Sequence, residues 1–448
     1  MNVTVIGCGY VGLTSAACFS TSGSLNVICL ETDTHRVAQL CSGICPIREP
    51  DLDALIRVGL DSGKLHFTID EETAIKTAEL IVIAVGTPPA RDGCPNLSEV
   101  KQAVYTIARY ITRNVTVILK STLPPGGTEI VQHWFSTALG SSFDVDVVYC
   151  PEFLREGNAV ADLKSPDRLV IGSENSRAAQ RTAELYRCFQ NPEVQIVFTT
   201  PRNAEIIKYA SNSFLAMKVS FVDELARLCR AVGGDLDEVT LGMGLDSRIG
   251  ATYLHAGPGY GGSCLPKDIQ GFTAYARAVG SPLPLLEQVI RSNDRHQSWI
   301  SEQVRPFLPN NAVISVWGLT FKKDTDDLRN SPAISLIKIL SRTGITHFQL
   351  YDPTLNDPCL KQLEDVNYIC FDNPADAAMG ADVLLITVPW PEIKSVSAKR
   401  LVDIMRKCVV FDLCGTYKNA ETLPDGMTYW CLTKSNCNEN SDLPTIFA

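Results

Sequence analysis

Short apolar runs alternate with longer stretches of helical character along the first part of the chain. The runs are rich in β-branched residues, which pack well on a pleated surface, so they predict strands. These predicted strands are residues 3–6, 26–30, 80–85, 116–119 and 145–149, with a helix over residues 11–21 between the first two. The alternation is typical of a doubly wound parallel sheet that helices cover on both faces.

The pattern changes twice further along the chain. Between about residues 202 and 305 the strand pattern fades and helical periodicity dominates, as in NAEIIKYASNSFLAMKVSFVDELARLCRAV. The alternation then resumes, with strands predicted in AVISVWG, FQLYD, VLLITVP and VVFDL and helices predicted from about residue 332 to 342 and after Pro374. We therefore predict two Rossmann-like doubly wound parallel-sheet domains joined by a helical middle segment, with domains at 1–201, 202–305 and 306–448.

Composition narrows the classes of protein that fit this pattern. The 448 residues exceed what one hydrophobic core usually organises. The net charge of −10 argues against nucleic acid as a partner, because phosphate backbones are held by clustered lysine and arginine. No stretch approaches the roughly 18 uninterrupted apolar residues that span a bilayer, so no membrane partner is expected. The amino terminus lacks the features of a signal peptide, and we expect a cytoplasmic protein.

Cysteine is abundant but does not form a recognisable framework. The 16 cysteines are scattered and include no CxxC pair, and a chain of this size does not need disulfides for stability. We expect most of them to be reduced core residues, and we predict no metal site. A functional cysteine must therefore be argued from its surroundings.

The first predicted strand leads directly into GCGYVG, which fits the dinucleotide-binding pattern GxGxxG. Gly7 permits a tight turn, Gly9 lets the backbone approach a pyrophosphate, and Gly12 allows close packing of the following helix. Glu31 ends the second strand about 20 residues later, where a carboxylate accepts hydrogen bonds from the adenine ribose. Its charge opposes a 2'-phosphate, which favours NAD over NADP. Arg36 is either a contact to the adenine or a phosphate, or an exposed helical residue.

A second motif, GPGYGGSCLPKD, places four glycines just ahead of Cys264. Such a loop can wrap backbone N–H groups around a ligand and expose a thiol to it. Lys267 lies close in sequence and would favour the thiolate, which is the reactive form. The alternative is a buried, inert cysteine, which fits the other cysteines better.

A dehydrogenase with a cysteine nucleophile has a specific chemical use. Hydride loss turns an alcohol into an aldehyde, and a thiolate adds to the aldehyde to form a thiohemiacetal. A second hydride loss gives a thioester, which water hydrolyses to an acid. The combination of a NAD site and a cysteine loop therefore indicates an acid product.

At this point the chain resembles the UDP-glucose/GDP-mannose dehydrogenase family. The motifs that carry the resemblance occur in order over nearly the whole chain: GCGYVG, IREPDLDAL, VGTPP, KSTLPPGGT, CPEFLREG, NAEIIKYASNSFLAMK, GPGYGGSCLPKD and GLTFKKDTDDLRNSP. The resemblance implies NAD-dependent, four-electron oxidation of a nucleotide sugar, with UDP-glucose as the first expectation.

The resemblance also implies catalytic roles. Cys264 takes the position of the nucleophile, and Asp268 that of an acid that assists proton transfer with an ordered water. Lys208 and Asn212 match a catalytic lysine and asparagine one helical turn apart. A cationic Lys208 would stabilise alkoxide and tetrahedral oxyanion states.

Two further positions match residues that orient water. They are Thr122 for the first oxidation and Glu152 for hydrolysis of the thioester. From the residues alone, Thr122 could equally be a turn hydroxyl and Glu152 a surface acid.

Binding residues follow in the same way. The resemblance places NAD against Gly7, Gly9, Tyr10, Val11, Gly12, Glu31, Arg36, Val85, Thr87, Ser121, Thr122, Glu156, Lys267 and Arg329. It places the nucleotide sugar against Glu152, Phe153, Leu154, Arg155, Glu156, Lys208, Asn212, Arg248, Tyr253, Gly261, Phe321 and Lys322. Arg248 resembles a residue that a neighbouring subunit supplies, which implies a homodimer built on the middle helices.

Departures from the family pattern and competing functions stay open at this stage. Glu31 replaces the commoner aspartate, and Leu413 and Cys414 follow Asp412 where glucose-specific relatives usually carry an arginine. UDP-N-acetylhexosamine and GDP-mannose are therefore the alternative substrates. From other classes, a non-catalytic NAD-binding relative and a two-electron 3-hydroxyacid dehydrogenase are the competing functions, and neither has a use for the cysteine loop.

Overall fold

The computed structural model describes residues 1–23, 25–189, 194–344, 347–355, 360–418 and 423–434. The polar composition of residues 435–448 predicts a loosely held tail, and this segment lies outside the described residues. The chain forms two compact units. The first unit comprises Met1–Ser211 and Gln270–Ser281, and the second comprises Asn212–Ile269 and Pro282–Ala448.

The first unit is built on an eight-stranded sheet with the order β3-β2-β1-β4-β5-β6-β7-β8. The strands are β1 (Asn2–Ile6), β2 (Asn26–Leu30), β3 (Leu65–Thr68), β4 (Leu80–Ile83), β5 (Val115–Leu119), β6 (Val145–Tyr149), β7 (Arg168–Gly172) and β8 (Gln195–Thr199). All neighbouring strands are parallel except β6 and β7. The order of the first six strands is that of a Rossmann fold.

Helices flank this sheet on the chain segments between its strands. They are α1 (Tyr10–Ser20), α2 (Thr34–Cys41), α3 (Leu52–Asp61), α4 (Glu71–Ile75), α5 (Ser98–Tyr110), α6 (Gly127–Leu139), α7 (Ala159–Lys164) and α8 (Ser176–Arg187). Every residue of β4 and β5 is buried, as expected where helices cover both faces of a parallel sheet. The strand order reverses between β1 and β4, and the carboxyl ends of these strands form the usual ligand crevice.

Four helices occupy the middle of the chain, and within residues 201–304 the structure has no strand. They are α9 (Pro201–Val232), α10 (Leu236–Gly244), α11 (Leu265–Ala278) and α12 (Pro284–Val304). Among the described residues, no helix is both long enough and apolar enough to cross a membrane.

The second unit contains a six-stranded parallel sheet with the order β11-β10-β9-β12-β13-β14. Its strands are β9 (Val313–Trp317), β10 (His347–Tyr351), β11 (Tyr368–Phe371), β12 (Val383–Ile386), β13 (Cys408–Asp412) and β14 (Met427–Cys431). Its remaining helices are α13 (Pro332–Ser341), α14 (Pro374–Ala378) and α15 (Ala398–Ile404). The Rossmann-type order recurs, so the predicted fold class of two parallel-sheet domains and a helical segment is confirmed.

Candidate active site

The glycine turn between β1 and α1 has the geometry of a phosphate cradle. Gly7 has a φ of +95°, and a Cβ atom there would lie 2.9 Å from the carbonyl oxygen of Ala84. A Cβ atom on Gly12 would lie 1.9 Å from the carbonyl oxygen of Gly7, whereas one on Gly9 would meet no atom within 4 Å. Because the N-cap residue of α1 is Gly9, which has no side chain to cap the helix, the first N–H groups of α1 can bind a pyrophosphate.

Glu31 lies directly after β2, at the position where a Rossmann fold binds the adenine ribose. The Cys8 N–H donates to its Oε2 at 3.0 Å, and the N–H groups of Thr32 and Asp33 donate to its Oε1 at 2.7 and 3.2 Å. The Arg36 guanidinium lies 3.3 Å from Oε2. Burial raises the pKa of Glu31, but the hydrogen bonds and the Arg36 charge outweigh burial and hold this pKa below its ordinary value. The position therefore carries a carboxylate that is already paired with Arg36.

Val85, Thr87 and Ser121 follow the carboxyl ends of β4 and β5, beside the glycine turn. The Ser121 hydroxyl donates to the carbonyl oxygen of Val85 at 2.7 Å, and a Cβ atom on Gly7 would lie 3.2 Å from Val85 Cγ1. Thr87 is buried, and Val11 lies in the first turn of α1. Val85 and Ser121 therefore lie beside the glycine turn, in the crevice at the carboxyl ends of β1 and β4.

Tyr10 is hydrogen-bonded to Glu49, which the sequence analysis does not propose as a site residue. Its hydroxyl donates to the buried carboxylate of Glu49. The N–H groups of Gly157 and Ala159 donate to the same carboxylate at 2.7 and 2.6 Å, so Glu49 caps the start of α7. Burial and the bond to Glu49 raise the pKa of Tyr10 well above its ordinary value. Glu49 therefore fixes α1 to the segment after β6 that carries residues 152–156.

Lys208 and Glu152 form a buried ion pair in the first unit. Lys208 Nζ lies 2.8 Å from Glu152 Oε1 and donates to the main-chain oxygen of Glu152 at 2.6 Å. The Leu154 N–H donates to Glu152 Oε2 at 2.7 Å, and Lys208 Nζ lies 5.3 Å from the centre of the Phe153 ring. Burial would raise the pKa of Glu152, but the Lys208 charge and these hydrogen bonds lower it. Glu152 is therefore a carboxylate at neutral pH, not the surface acid of the alternative interpretation.

Thr122 lies after β5 and is buried. The loop that follows Thr122 is bonded to a further acidic side chain, that of Glu205. Glu205, three residues before Lys208 on α9, accepts from the N–H groups of Gly126 and Thr128 at 2.6 and 2.7 Å. These contacts cap the N-terminus of α6. Burial raises the pKa of Glu205 despite the hydrogen bonds. Sequence reasoning missed Glu205, because nothing in NAEIIK indicates which distant N–H groups it meets.

Two predicted substrate residues of the same segment differ in exposure. Arg155 forms a bidentate pair with Asp162, at 2.6 Å through Nη2 and 3.0 Å through Nε, and its side chain is 55% exposed. Glu156 is buried. The Asp162 pair orients the backbone of Arg155 as well, since the Arg155 N–H donates to Asp162 at 2.9 Å.

Cys264, in the second unit, stands at the N-terminus of α11. Its carbonyl oxygen accepts from the Asp268 N–H at 2.9 Å, which is the first hydrogen bond of that helix. A thiol at this position is favoured as the thiolate by the partial positive charge of the helix end. The side chain is half-buried, and Ser263 Oγ lies 3.5 Å from Sγ. The Cys264 thiol is therefore not fully buried, unlike that of a core cysteine such as Cys29.

Asp268 lies one turn further along α11 and joins two other predicted residues. Asn212 Nδ2 donates to Asp268 Oδ2 at 2.6 Å, and Lys267 Nζ contacts Oδ1. Asp268 and Asn212 are almost fully buried. Lys208 and Asn212 are spaced i and i+4 on α9, so the predicted catalytic lysine and asparagine share one helix face.

Some predicted sugar-binding residues meet beside the glycine loop. A Cβ atom on Gly262 would lie 2.8 Å from the Phe321 ring, and one on Gly261 would lie 2.4 Å from the carbonyl oxygen of Asn330. Lys322 Nζ lies 5.4 Å from the centre of the Phe321 ring. Gly261, Phe321 and Lys322 are therefore neighbours in the second unit.

Other predicted binding residues lie on more open parts of the second unit. Arg248 pairs with Asp246 at 2.7 Å, and its side chain is 87% exposed. Arg329 pairs with Asp327 at 2.7 Å, with a side chain that is 61% exposed. Tyr253 adopts a φ of +65°, an uncommon backbone conformation for a residue other than glycine.

The second sheet also carries a buried acid directly after its second strand in sequence, as the first sheet does with Glu31. Asp352, after β10, is buried and accepts from the N–H groups of Leu319 and Thr320 at 2.7 and 3.1 Å and from Trp390 Nε1 at 3.1 Å. Its carboxylate is thereby occupied by protein donors.

Leu413 and Cys414, which follow Asp412 at the end of β13, provide no positive charge. Leu413 is fully buried in the core, and Cys414 Sγ donates to the carbonyl oxygen of Thr387 at 3.0 Å. Burial raises the pKa of Cys414 well above its ordinary value, so it is a neutral thiol. Across the described part of the chain, no group of three or more His, Cys, Asp or Glu residues could hold a metal ion.

Known proteins resemble this chain over nearly its whole length. Profiles of the UDP-glucose/GDP-mannose dehydrogenase family match the chain with the NAD binding domain at residues 1–190, the central domain at 202–295 and the UDP binding domain at 315–419. A UDP-glucose 6-dehydrogenase of Rhizobium meliloti (strain 1021) is 40% identical over 96% of this chain and 98% of its own. A UDP-glucose dehydrogenase structure from Pyrobaculum islandicum superposes with a TM-score of 0.84 at 31% identity, covering 97% of this chain and 98% of that one. A UDP-D-ManNAc dehydrogenase structure from Pyrococcus horikoshii gives 0.83 at 28% identity, covering 97% and 99%.

Proposed function

The chain belongs to the UDP-glucose/GDP-mannose dehydrogenase family, and from this premise we propose that it oxidises UDP-glucose to UDP-glucuronate through a covalent intermediate on Cys264. It is an NAD-dependent nucleotide-sugar dehydrogenase. The observation that carries the covalent route is the half-buried thiol of Cys264 at the N-terminus of α11, where a thiolate is favoured.

The residues of the first unit fit NAD. The uncapped N-terminus of α1 would hold the pyrophosphate over Gly9, and the Glu31 carboxylate would accept from the ribose hydroxyls. Val85 and Ser121 line the same crevice beside Gly7. When bound, NAD supplies the hydride acceptor for both oxidations.

The proposed reaction keeps the sugar attached between the two oxidations. Loss of hydride from C6 and of the hydroxyl proton gives an aldehyde, and the Cys264 thiolate adds to its carbon while the oxygen takes up a proton. Loss of a second hydride and of that proton gives a thioester. Water then attacks the thioester carbonyl, the C–S bond breaks, and the products are a carboxylate and the free thiolate. Two NAD molecules are reduced for each sugar.

Each predicted catalytic side chain has its own part in the proposed proton transfers and charge stabilisation. Asp268, fixed by Asn212 and Lys267, relays protons through an ordered water. Lys208 stabilises negative charge on the sugar oxygen, because a buried ammonium in a low-dielectric site is strongly attractive. Thr122 orients water in the first oxidation, and Glu152, an ionised carboxylate, orients the water that attacks the thioester.

A UDP-N-acetylhexosamine is the second candidate substrate. Leu413 is buried and Cys414 is a neutral thiol bonded to Thr387, so this segment lacks the arginine that glucose-specific relatives usually carry there. The similarity to the UDP-D-ManNAc dehydrogenase structure agrees with this candidate. The identity of 40% to a UDP-glucose 6-dehydrogenase favours glucose.

The discriminating experiment measures NADH formation with UDP-glucose, UDP-N-acetylglucosamine, UDP-N-acetylmannosamine and GDP-mannose at equal concentrations. We expect the highest kcat/KM for UDP-glucose. A higher value for either N-acetylated sugar transfers the assignment to that substrate. Absence of NADH with every nucleotide sugar contradicts the proposed activity.

We also propose that two copies of the chain pair through α9. Phe214, Phe221 and Leu228 are spaced seven residues apart on this helix and are 56%, 50% and 56% exposed, so they form an apolar stripe on one face. A second copy would cover the stripe, and Arg248 would then reach the partner's site. Light scattering should show that Phe221→Asp weakens the dimer while Val58→Asp, at an exposed valine on α3, leaves it intact. A monomeric wild-type protein contradicts this proposal.

The cytoplasm is the proposed compartment. The structure joins none of the 14 described cysteines in a disulfide, as is usual where disulfides do not persist. Fractionation of cells that express the full chain tests this assignment.

A further inference from the structure

The loop that leads to Cys264 is held at its base by buried side chains of two helices. Gly257 begins this loop, and both of its backbone polar groups are bonded to side chains. Its N–H donates to Asp223 Oδ1 of α9 at 3.1 Å, and its carbonyl oxygen lies 2.8 Å from His296 Nε2 of α12. Asp223 and His296 are 1% and 0% exposed, so water does not compete for these bonds.

The backbone of Tyr260 is held in a similar way, by the side-chain amide of Asn293. Asn293 Oδ1 accepts from the Tyr260 N–H at 2.8 Å, and Asn293 Nδ2 donates to the Tyr260 carbonyl oxygen at 3.2 Å. The contact is close, since a Cβ atom on Gly259 would lie 2.7 Å from Asn293 Oδ1. Asn293 lies one turn before His296, so neighbouring positions on α12 hold the loop at two points.

The hydrogen bonds of His296 determine its tautomer. Arg227 Nη1 lies 2.8 Å from His296 Nδ1, and a guanidinium can only donate, so Nδ1 is the acceptor and Nε2 carries the proton. Burial and the Arg227 charge lower the pKa of His296 to about 4, although the bond to Gly257 acts in the opposite direction. The Trp299 ring stacks on the imidazole with centroids 5.8 Å apart. A neutral His296 is therefore fixed in the one orientation that donates to Gly257.

These contacts end four residues before the nucleophile. Beyond Tyr260, Asn330 Nδ2 donates to the Gly262 carbonyl oxygen at 3.1 Å, and Cys264 then begins α11. Only Gly261, Gly262 and Ser263 separate Tyr260 from Cys264, so we expect a shift of the base to move the sulfur as well. Small displacements matter here, because misplacing a reacting group by about 1 Å can cost about 100-fold in rate.

We propose that Asp223, Asn293 and His296 are positioning residues that hold the base of the glycine loop and thereby set the place of the Cys264 thiolate. The inference rests on the proposed covalent role of Cys264. None of the three residues touches the substrate in this account. Their effect is exerted through the backbone of Gly257 and Tyr260.

The test compares full-length variants of α12 with a matched control. His296→Phe keeps a ring but removes both hydrogen bonds, while His296→Gln restores a donor for Gly257 and an acceptor for Arg227. Asn293→Ala releases Tyr260 and leaves only a small cavity. Ser220→Ala is the control, because it removes a buried bond between α9 and α12, from Ser220 Oγ to the Val289 carbonyl oxygen at 3.4 Å, that does not involve the loop.

The readouts are kcat and KM with UDP-glucose and NAD, and the rate at which iodoacetamide alkylates Cys264, measured by peptide mass spectrometry. We expect His296→Phe and Asn293→Ala to lower kcat by about 10- to 100-fold and to change the alkylation rate, with the KM for NAD unchanged. His296→Gln should recover most of the loss, and Ser220→Ala should resemble the wild type. If His296→Phe does not fold, Asn293→Ala and the glutamine variant decide the question.

Wild-type kcat and alkylation rate in folded Asn293→Ala or His296→Phe overturn the inference. Equal losses in Ser220→Ala, or no recovery in His296→Gln, overturn it as well, because the effect is then general helix packing. Cys264→Ala, measured in parallel, separates this inference from the proposed function. If that variant still makes acid, the covalent role fails; if it is inactive while the α12 variants behave as wild type, only the positioning inference fails.

Discussion

Lys208 Nζ contacts Glu152 twice, at 2.8 Å from Oε1 and at 2.6 Å from the main-chain oxygen, and both side chains are shielded from water, with 2% and 7% exposed. Removing one member of such a pair leaves a buried charge without compensation, whereas removing both is much less costly. Variants of this pair therefore allow its effect on the free energy of unfolding to be measured separately from its effect on activity.

Lys208→Met should lower the free energy of unfolding by about 3–5 kcal/mol, because the Glu152 carboxylate loses its main counter-ion. The double variant Lys208→Met/Glu152→Gln should recover part of that stability and none of the activity. Urea unfolding and NADH formation measure the two effects. A single variant as stable as the double variant contradicts the account of the buried pair.

Cofactor choice depends on Glu31. We expect a higher kcat/KM with NAD than with NADP, since the Glu31 carboxylate opposes a 2'-phosphate. Glu31→Ala should narrow this gap, because it removes the repulsion and releases Arg36 from its ion pair. Arg36→Ala is the control and should keep the preference for NAD. Equal kcat/KM values for both cofactors in the wild type would show that Arg36 dominates.

The sequence was sufficient for elements whose signals are local. The strand, glycine turn and Glu31 of the dinucleotide site were predicted from one continuous stretch, and β2 and β6 have the predicted bounds. The helix predicted over residues 11–21 is α1, displaced by one residue at each end. Strands β3, β7, β8, β11 and β14 were not predicted. β7 and β8 extend the sheet beyond the six strands of the usual Rossmann order. Val197 and Phe198 of β8 are exposed at the edge of the sheet.

The supporting residues of the site depend on partners that are far away in sequence. Glu49 meets Gly157, 108 positions later, and Glu205 meets Thr128, 77 positions earlier. His296 is one of six histidines and lies in a helical stretch without a motif. The motifs predict which residues face ligands, whereas the residues that hold those motifs in place emerge only once the chain is folded. The assignments of individual catalytic and binding residues, and the domain boundaries, remain predictions.

Asp223 should make stability depend on pH. Burial raises its pKa to about 8, although the Gly257 N–H and the Arg227 charge lower it, against about 3.9 in the unfolded chain. A raised pKa means that stability present at low pH is lost as pH rises through about 8. Between about pH 6.5 and 8, where His296 is neutral in the folded state, the wild type should lose on the order of 1 kcal/mol per pH unit relative to Asp223→Asn. Parallel urea-unfolding results for the two proteins across this range contradict the prediction.

The number of NADH molecules formed per sugar tests whether the sugar stays covalently bound to Cys264 between the two oxidations. We expect two NADH for each UDP-glucose consumed and no free aldehyde, because the thiohemiacetal keeps the sugar bound to Cys264. Absorbance at the NADH band together with an aldehyde-trapping reagent measures both quantities. One NADH per sugar with accumulating aldehyde would mean that the first product leaves the enzyme.

The covalent role of Cys264 is tested most directly by the rate of UDP-glucuronate formation in Cys264→Ala. A structural cysteine would cost only about 1 kcal/mol of stability on losing its sulfur and would leave turnover largely intact. The account predicts that acid formation is almost abolished while the protein folds and binds NAD and UDP-glucose with wild-type affinity, since neither ligand depends on the sulfur. Near-normal formation of UDP-glucuronate by this variant would contradict the covalent mechanism.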